Sequence, residues 1–386
     1  MGGSVPRAWW EEMKLLFAIK KLNDLPGGAE RVLCMVASEL NRRGHDVSVL
    51  SFDHVGGTPY YHLSPRITRI ELGVGDPGRR ARISETLKRI VALRRQIIHQ
   101  RPDVVIGFGH SIFVILAMAL IGLRVPLIGS EHIAQAHYRT RPLQALLYAL
   151  TAPLMREITV VSQEVKAGFP RSIREKMVTI PNPVSTWEPE TKTRMAKRRG
   201  RLVLNVGRFH SQKDQRTLIQ AFAMLPPEFE EWRLRLVGDG ELRHDLQDEV
   251  RRLNLGSRVE FPGTTKNIQQ EYVNADIFVL SSIYESFGLV VVEAMQCELP
   301  TIGFADCPGV NELIIPDENG ILVQPGSNRP AALASALTQL MRDEDQRIRL
   351  GKAGCASVAH KFALGTVVDM WERTIERVAT AEMCEE

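Results

Sequence analysis

Cysteine is scarce in this 386-residue chain, and what there is does not cluster. Cys34, Cys297, Cys307, Cys355 and Cys384 lie far apart, with no CxxC pair and an odd total. That argues against a disulfide framework and a zinc ribbon, and it fits a reducing cytoplasm. Long hydrophobic runs are also missing. The longest, Ile112 to Leu123, has 12 residues, where a spanning helix needs about 20, so it reads as a core helix. Leu15 to Ile19, closed by Lys20 and Lys21, is too short for a signal-peptide core and reads as a buried first strand. The segment before Met13 reads as an extension outside the fold. No P-loop, tandem repeat or low-complexity tract occurs. Basic stretches carry no interleaved aromatics and match no nucleic-acid motif, so nucleic acid is not expected as a partner.

What is present is ordinary globular composition, 44% apolar and 24% charged, over a length that suits two domains. Residues 1–180 hold 25 Lys and Arg against 15 Asp and Glu, and residues 181–386 hold 24 against 30. The basic half suggests an anionic partner such as a phosphate or a membrane surface. Strand-like and helix-like runs alternate through both halves. KLLFAI, HDVSVLSF, Asp103–Ile106 and Ile158–Val161 belong to the first; RLVLNVG, RLRLVGDG, RVEFPG, ADIFVLSS, PTIGFA and GILV belong to the second. Such alternation predicts parallel sheets flanked by helices. After IPNPV, the polar and patternless stretch 185–200 reads as the linker. The expectation is an α/β protein of two Rossmann-like domains, 1–184 and 185–365, whose sheets face across a cleft. Ligands are then sought on loops after strands.

Four loops stand out. In YESFGLVVVEAM, Glu285 and Glu293 flank a turn at Ser286-Phe287-Gly288 that opens a helix at Leu289. A helix N-terminus is a ready anion site, and Glu293 could accept hydroxyl hydrogen bonds from a ribose. VGRFHSQKD places Arg208 and Lys213 after a strand, beside Gly207; on spacing alone they read as solvated cations, although two cations there can flank a diphosphate. Gly27-Gly28 after the first strand permits close backbone approach. GSEHIAQAH puts His132 after a β run; a satisfied core histidine is the alternative. His110 and His137 are weaker candidates of the same kind, and Gly238, after RLRLV, is a minor one.

On these motifs nearly the whole chain, about 13–380, resembles the retaining GT-B glycosyltransferases of family 4, the group 1 type. The resemblance implies a hexosyltransferase-type enzyme that moves a sugar from a nucleotide sugar, expected to be a UDP-sugar. It implies a glycan or polyprenyl-diphosphate-linked acceptor of bacterial surface-polysaccharide assembly. It assigns His132, Arg208, Lys213 and Glu285 to catalysis. It assigns Gly28, Gly207, Gly238, Ser286, Phe287, Gly288, Leu289 and Glu293 to the donor, with no cofactor and no obligatory metal. It also implies an acceptor-binding first domain, a nucleotide-sugar-binding second domain, and a C-terminal helix, 366–386, that crosses back to the first. One departure is Asn182-Pro183, where the family often shows Asn-Gly.

Two signals are decoys. Gly73 to Gly78 spells GxGxxG, but it follows the third strand, contains Pro77 and lacks the acidic residue about 20 positions on. Asp343-Glu344-Asp345 resembles a metal-binding motif but opens a helix, where acids suit the dipole. The stretch Arg79–Arg101 carries eight basic residues against one acid, Glu85. It reads equally as a solvated face or as a peripheral membrane surface, which the resemblance favours. Two other readings remain: a nucleotide-sugar epimerase or hydrolase of the same fold, and a non-catalytic nucleotide-sugar-binding protein.

Overall fold

A computed structural model describes residues 12–23, 27–79, 81–133, 136–139, 141–184 and 201–383. The linker 185–200, most of the N-terminal extension, Arg80 and Cys384 lie outside the described residues. The chain divides into two compact units, one comprising residues up to Pro183 together with Leu364 onward, the other Val184–Ala363.

The first unit holds seven parallel strands: β1 (Lys14–Ile19), β2 (Asp46–Ser51), β3 (Thr68–Glu71), β4 (Val104–Phe108), β5 (Leu127–Glu131), β6 (Glu157–Val160) and β7 (Met177–Thr179). Their spatial order is β3-β2-β1-β4-β5-β6-β7. The second holds six: β8 (Leu202–Val206), β9 (Arg233–Val237), β10 (Val259–Gly263), β11 (Ile277–Leu280), β12 (Thr301–Phe304) and β13 (Gly320–Val323), in the order β10-β9-β8-β11-β12-β13. Both sheets are doubly wound, as the alternating pattern predicts. Strands such as VVIGF and IFVL are continuous apolar runs because helices cover both faces. In each sheet the strand order reverses once, between β1 and β4 and between β8 and β11. The register there is Phe17 opposite Ile106, and Phe278 opposite Leu204. Loops leaving the carboxyl ends of such a strand pair splay apart, and that is where doubly wound sheets take ligands.

Local chemistry sets the helix starts. Ser162 accepts from the Val165 N–H at 3.1 Å, and Asp343 from the Gln346 N–H at 2.8 Å. Asp343 is thus a helix cap, which accounts for the second decoy. The first decoy, by contrast, does not open a helix. The expected helix from Arg79 begins only at Ile83, five residues beyond Gly78. The Gly73–Gly78 segment itself is tied down by the buried Arg89, whose guanidinium donates to the carbonyls of Val74 and Asp76.

The core of the first unit is completed by the C-terminal helix Leu364–Met383. Val367, Val368, Trp371, Ile375 and Val378 are buried in the same cluster as Leu15, Phe17, Val36 and Ile106. Arg43, at the end of the helix Gly28–Arg42, donates to Asp369 at 2.6 Å and to Glu372 at 2.5 Å. Arg377 makes a bidentate pair with Glu157 at 2.6 and 2.7 Å. Residues 364–383 therefore fold with residues they follow by almost the whole length of the chain.

Candidate active site

In the second unit, the loops after β8 and β11 meet at the strand-order reversal. They are laced together by main chain and amide: Ile283 N–H donates to the Gln212 carbonyl at 2.9 Å, and the Gln212 side chain donates to the Tyr284 carbonyl at 2.8 Å. Ser281 Oγ donates to the Lys213 carbonyl at 3.0 Å. This lacing brings Lys213 Nζ to 2.5 Å from Glu285 Oε1, where the Ser282 hydroxyl also donates at 2.6 Å. Glu285 is buried and Lys213 partly exposed. Arg208, on the same loop, is exposed, and its guanidinium has no ion-pair partner among the described residues. Two cations and one carboxylate leave one positive charge for a ligand.

The loop from β11 runs into the helix Leu289–Gln296 through Gly288, whose φ of 82° lies in the left-handed region. The N–H groups of its first turn have no intrahelical acceptor. A second backbone packs tightly beneath. Gly309, after β12, also has positive φ, and a Cβ there would stand 2.6 Å from the Glu285 carbonyl oxygen. The Glu285 N–H in turn donates to the Pro308 carbonyl at 2.9 Å. Gly238 is forced in the same way, since its Cβ would stand 2.0 Å from the Gly207 carbonyl oxygen. The structure therefore gathers Gly207, Arg208, Lys213, Gly238, Glu285 and Ser286–Leu289 on adjoining loops of one sheet edge.

Two expected donor residues sit differently from a simple ligand contact. Phe287 turns inward and meets Phe362 edge-on at 5.3 Å, so only its backbone faces a ligand. Glu293 is buried within its helix, and its Oε2 accepts from the Tyr272 hydroxyl at 2.7 Å. Tyr272, from the helix Ile268–Asn274, holds that carboxylate in place.

In the first unit, Gly109 (φ 87°) ends β4 and His110 opens the helix His110–Ala119. His132 follows β5. Its ring stacks on Phe108 at 5.0 Å, and Phe108 stacks on Trp371 of the C-terminal helix at 5.7 Å. His132 Nε2 lies 2.9 Å from Ser130 Oγ, which accepts from the Thr159 hydroxyl at 2.9 Å. Burial pushes the imidazole down to about 4, so it is neutral. His110 is also pushed down to about 4, by burial and then by His137, Arg141 and Lys20. The His110 and His137 rings lie 5.5 Å apart.

Glu131 was missed by sequence reasoning. It is fully buried at the end of β5, and burial raises its carboxyl to about 7. It accepts from the Tyr138 hydroxyl at 2.5 Å and the Ile133 N–H at 2.8 Å, so it clamps the turn that carries His132. Its signal was available, as an acid within an otherwise apolar strand. The Gly27-Gly28 start of the helix Gly28–Arg42 also differs from a bare anion site. The Glu30 carboxylate folds back over Gly27, and burial raises its pKa. Gly28 itself is exposed and open. Among the described residues, no three or more His, Cys, Asp or Glu side chains gather as a metal site would need.

Two doubly wound sheets, with cations and a helix N-terminus at the strand reversal of the second, define the GT-B class. Residues 189–356 match the family described as Glycosyl transferases group 1, and residues 26–188 match Glycosyltransferase Family 4. Together the two matches span most of the chain, which belongs to the group 1 glycosyltransferases and is an enzyme of that hexosyltransferase type. It is 28% identical over 375 residues, 96% of its length and 100% of the relative, to the GalNAc-alpha-(1->4)-GalNAc-alpha-(1->3)-diNAcBac-PP-undecaprenol alpha-1,4-N-acetyl-D-galactosaminyltransferase of Campylobacter jejuni. It is 26% identical to the amylovoran biosynthesis glycosyltransferase AmsD of Erwinia amylovora, over 88% of this chain and 93% of that one. In fold it is similar to Anabaena Alr3699/HepE in complex with UDP and glucose, at TM-score 0.76 and 22% identity, covering 95% of this chain and 100% of that one. Sucrose-phosphate synthase from Thermosynechococcus elongatus gives TM-score 0.81, again at 22% identity, with 95% and 100% covered.

Proposed function

We propose that the chain is a retaining glycosyltransferase that moves a sugar from a UDP-sugar to a hydroxyl of a polyprenyl-diphosphate-linked glycan, working at the cytoplasmic face of a bacterial membrane. The observation that carries this reading is the exposed Arg208, without an ion-pair partner among the described residues, on the same loop as the Lys213 that pairs with Glu285 ahead of a helix N-terminus. The names of relatives support it: the Campylobacter enzyme acts on an undecaprenol-diphosphate-linked glycan, and HepE was crystallised with UDP, with UDP-glucose, and with UDP and glucose.

On this reading the acceptor oxygen bonds to the anomeric carbon as the bond from that carbon to the diphosphate oxygen breaks. The acceptor proton passes to the departing phosphate oxygen, on the same face, so configuration is kept. Negative charge grows on the diphosphate, and Arg208, Lys213 and the N–H groups near Gly288 stabilise it. These cations supply the charge that a divalent metal supplies elsewhere. Glu285 attends the donor sugar, and Glu293 takes the ribose.

The test is a panel of UDP-sugars with and without a diphosphate-lipid acceptor, with the product anomer read by NMR and chelator present throughout. Acceptor-dependent UDP release with retained configuration is expected. Inverted product overturns the stereochemical assignment, and equal UDP release without acceptor makes the chain a nucleotide-sugar hydrolase. Abolition by the chelator overturns the metal-free reading.

A further inference from the structure

His210 stands between the two proposed diphosphate cations, Arg208 and Lys213, on the loop that joins β8 to the helix Gln215–Ala223. It precedes the single turn Ser211–Lys213, with extended backbone at φ −140° and ψ 152°. Its Nδ1 accepts from the Gln212 N–H at 3.1 Å. A backbone N–H can only donate, so Nδ1 is bare and the ring proton sits on Nε2. The His210 carbonyl accepts from the Lys213 N–H at 2.9 Å. One residue therefore caps the turn with its side chain and closes it with its main chain.

The turn ties three loops together. Gln212 holds the β11 loop through the Ile283 N–H and the Tyr284 carbonyl, which sets Lys213 against Glu285. On the other side, His210 Nε2 lies 3.6 Å from Glu241 Oε1, in the loop after β9. Phe209 is fixed to that loop as well, donating to the Asp239 carbonyl at 2.9 Å and accepting from the Leu242 N–H at 3.2 Å. The charged groups around the ring are Arg208, Lys213 and Asp214 on its own loop, Asp239, Glu241 and Arg243 after β9, and Glu285 after β11. Lys213 is matched to Glu285, Arg243 to Asp239 at 3.5 Å, and Asp214 caps the next helix through Thr217. Glu241 is the carboxylate that answers a charge on the imidazole.

The two neighbours of the ring ask for opposite protonation states. The Gln212 N–H needs a bare Nδ1, while Glu241 favours the imidazolium. Protonation sets a hydrogen on Nδ1 against the Gln212 N–H, so the cap is lost as the pull of Glu241 grows. We infer that His210 is a positioning residue for the donor diphosphate: the neutral imidazole holds the turn that presents Lys213, and the imidazolium releases it towards Glu241. The inference rests on the proposed donor site and adds to it the residue that sets its geometry. Asparagine would supply the same cap without titrating, because its side-chain oxygen accepts from a backbone N–H two residues on.

The test measures UDP affinity of the full chain by calorimetry at about pH 8 and about pH 5.5, which bracket imidazole titration. At the higher pH, His210→Ala should weaken UDP binding by about threefold to tenfold, the size of a lost cap. His210→Asn should recover most of that loss. In a Lys213→Met background, His210→Ala should add less than about twofold, since the turn then presents no cation. A merely structural role would weaken binding in both backgrounds. The terminal phosphate of UDP titrates in the same range, so the pH readout is the ratio of wild-type to His210→Asn affinity. That ratio should fall by about threefold or more at the lower pH. His210 is partly exposed, and thermal midpoints confirm that each variant is folded. His210→Ala that binds UDP as wild type does overturns the inference, and so does a ratio that is constant between the two pH values. Wild type that binds no UDP at either pH overturns the donor reading beneath it, whereas binding that ignores His210 overturns the inference alone.

Discussion

Arg208 and Lys213 are both cations on one loop, yet their surroundings separate function from stability. Arg208 is exposed and unpaired among the described residues. Its replacement by Ala should leave stability within about 0.5 kcal/mol and lower kcat/KM by about 10²-fold if it meets the leaving diphosphate. Lys213→Ala should cost activity to a similar degree. It should also cost about 1–3 kcal/mol, because buried Glu285 loses a charged partner and keeps only Ser282. Paired urea titrations and steady-state kinetics check both. Equal kinetics for Arg208→Ala and wild type would remove the guanidinium from the mechanism. The residue types and their loops were legible in the sequence through the family resemblance, since on spacing alone Arg208 and Lys213 read as solvated cations. What each side chain faces was not, because that depends on which loops the strand order brings together. The inward turn of Phe287, the fold-back of Glu30 over Gly27 and the Tyr272 bond to Glu293 all come from residues distant in sequence or from a local rotamer.

The histidines and Glu131 give a pH signature with opposed signs. His110 and His132 fall from 6.5 to about 4 through burial, and His137 is lowered too. The unfolded chain binds protons at these sites first, so their contribution is whole above pH 6.5 and lost as pH falls towards 4. Glu131 rises from 4.5 to about 7, so the folded state takes up its proton first and gains as pH falls from 7 to 4.5. Two or three histidines outweigh one carboxyl. Stability should drop by about 1–2 kcal/mol between pH 6.5 and 5. Glu131→Gln should steepen that drop, and His110→Gln should flatten it, both read by calorimetry at the two pH values. A flat profile in wild type would mean that these groups are solvated in the folded state.

At the scale of elements, the C-terminal helix is a structural member of the first unit's candidate site. Trp371 stacks on Phe108, and Phe108 stacks on His132, so one aromatic column runs from the helix to the imidazole. Trp371→Ala should cost about 3–5 kcal/mol as a core truncation. It should also lower turnover in the molecules that remain folded, because His132 loses the support behind its ring. Trp371→Phe, which keeps an aromatic face, should recover most of both. Full turnover for Trp371→Ala under conditions where it is folded would detach the column from function. The periodicity of this helix was legible, since Val367, Val368, Trp371, Ile375 and Val378 follow a helical stripe. Its destination was not readable from periodicity, because a stripe says that a face is buried and not against what. The leucine segment Pro142–Leu154 is the converse case. Leu143, Leu146, Leu150 and Leu154 face outward, so an apolar run there is not a buried one.

At the scale of the whole molecule, two compact units with separate cores allow ligand linkage to be assigned to one of them. The residues proposed for the uridine diphosphate, Arg208, Lys213 and Glu293 with the turn at Gly288, all belong to the second unit. A ligand that binds only the native form adds about 2.7 kcal/mol at 100 times its dissociation constant. Local opening free energies report that gain where the ligand's contacts are made. Amide hydrogen exchange with saturating UDP should therefore slow in peptides covering Leu202–Lys213 and Ile277–Gln296, and change little in those covering β6 and β7. NAD at the same concentration should slow neither, because Gly73–Gly78 opens no helix and Arg89 already occupies the carbonyls beside it. Protection by UDP confined to the first unit would overturn the donor assignment while leaving family membership untouched. Protection by NAD around Gly73 would overturn the dismissal of that loop. The discrimination is sharp because the two loops lie in different units, so no shared stabilisation can carry the signal from one to the other without appearing in the strands between.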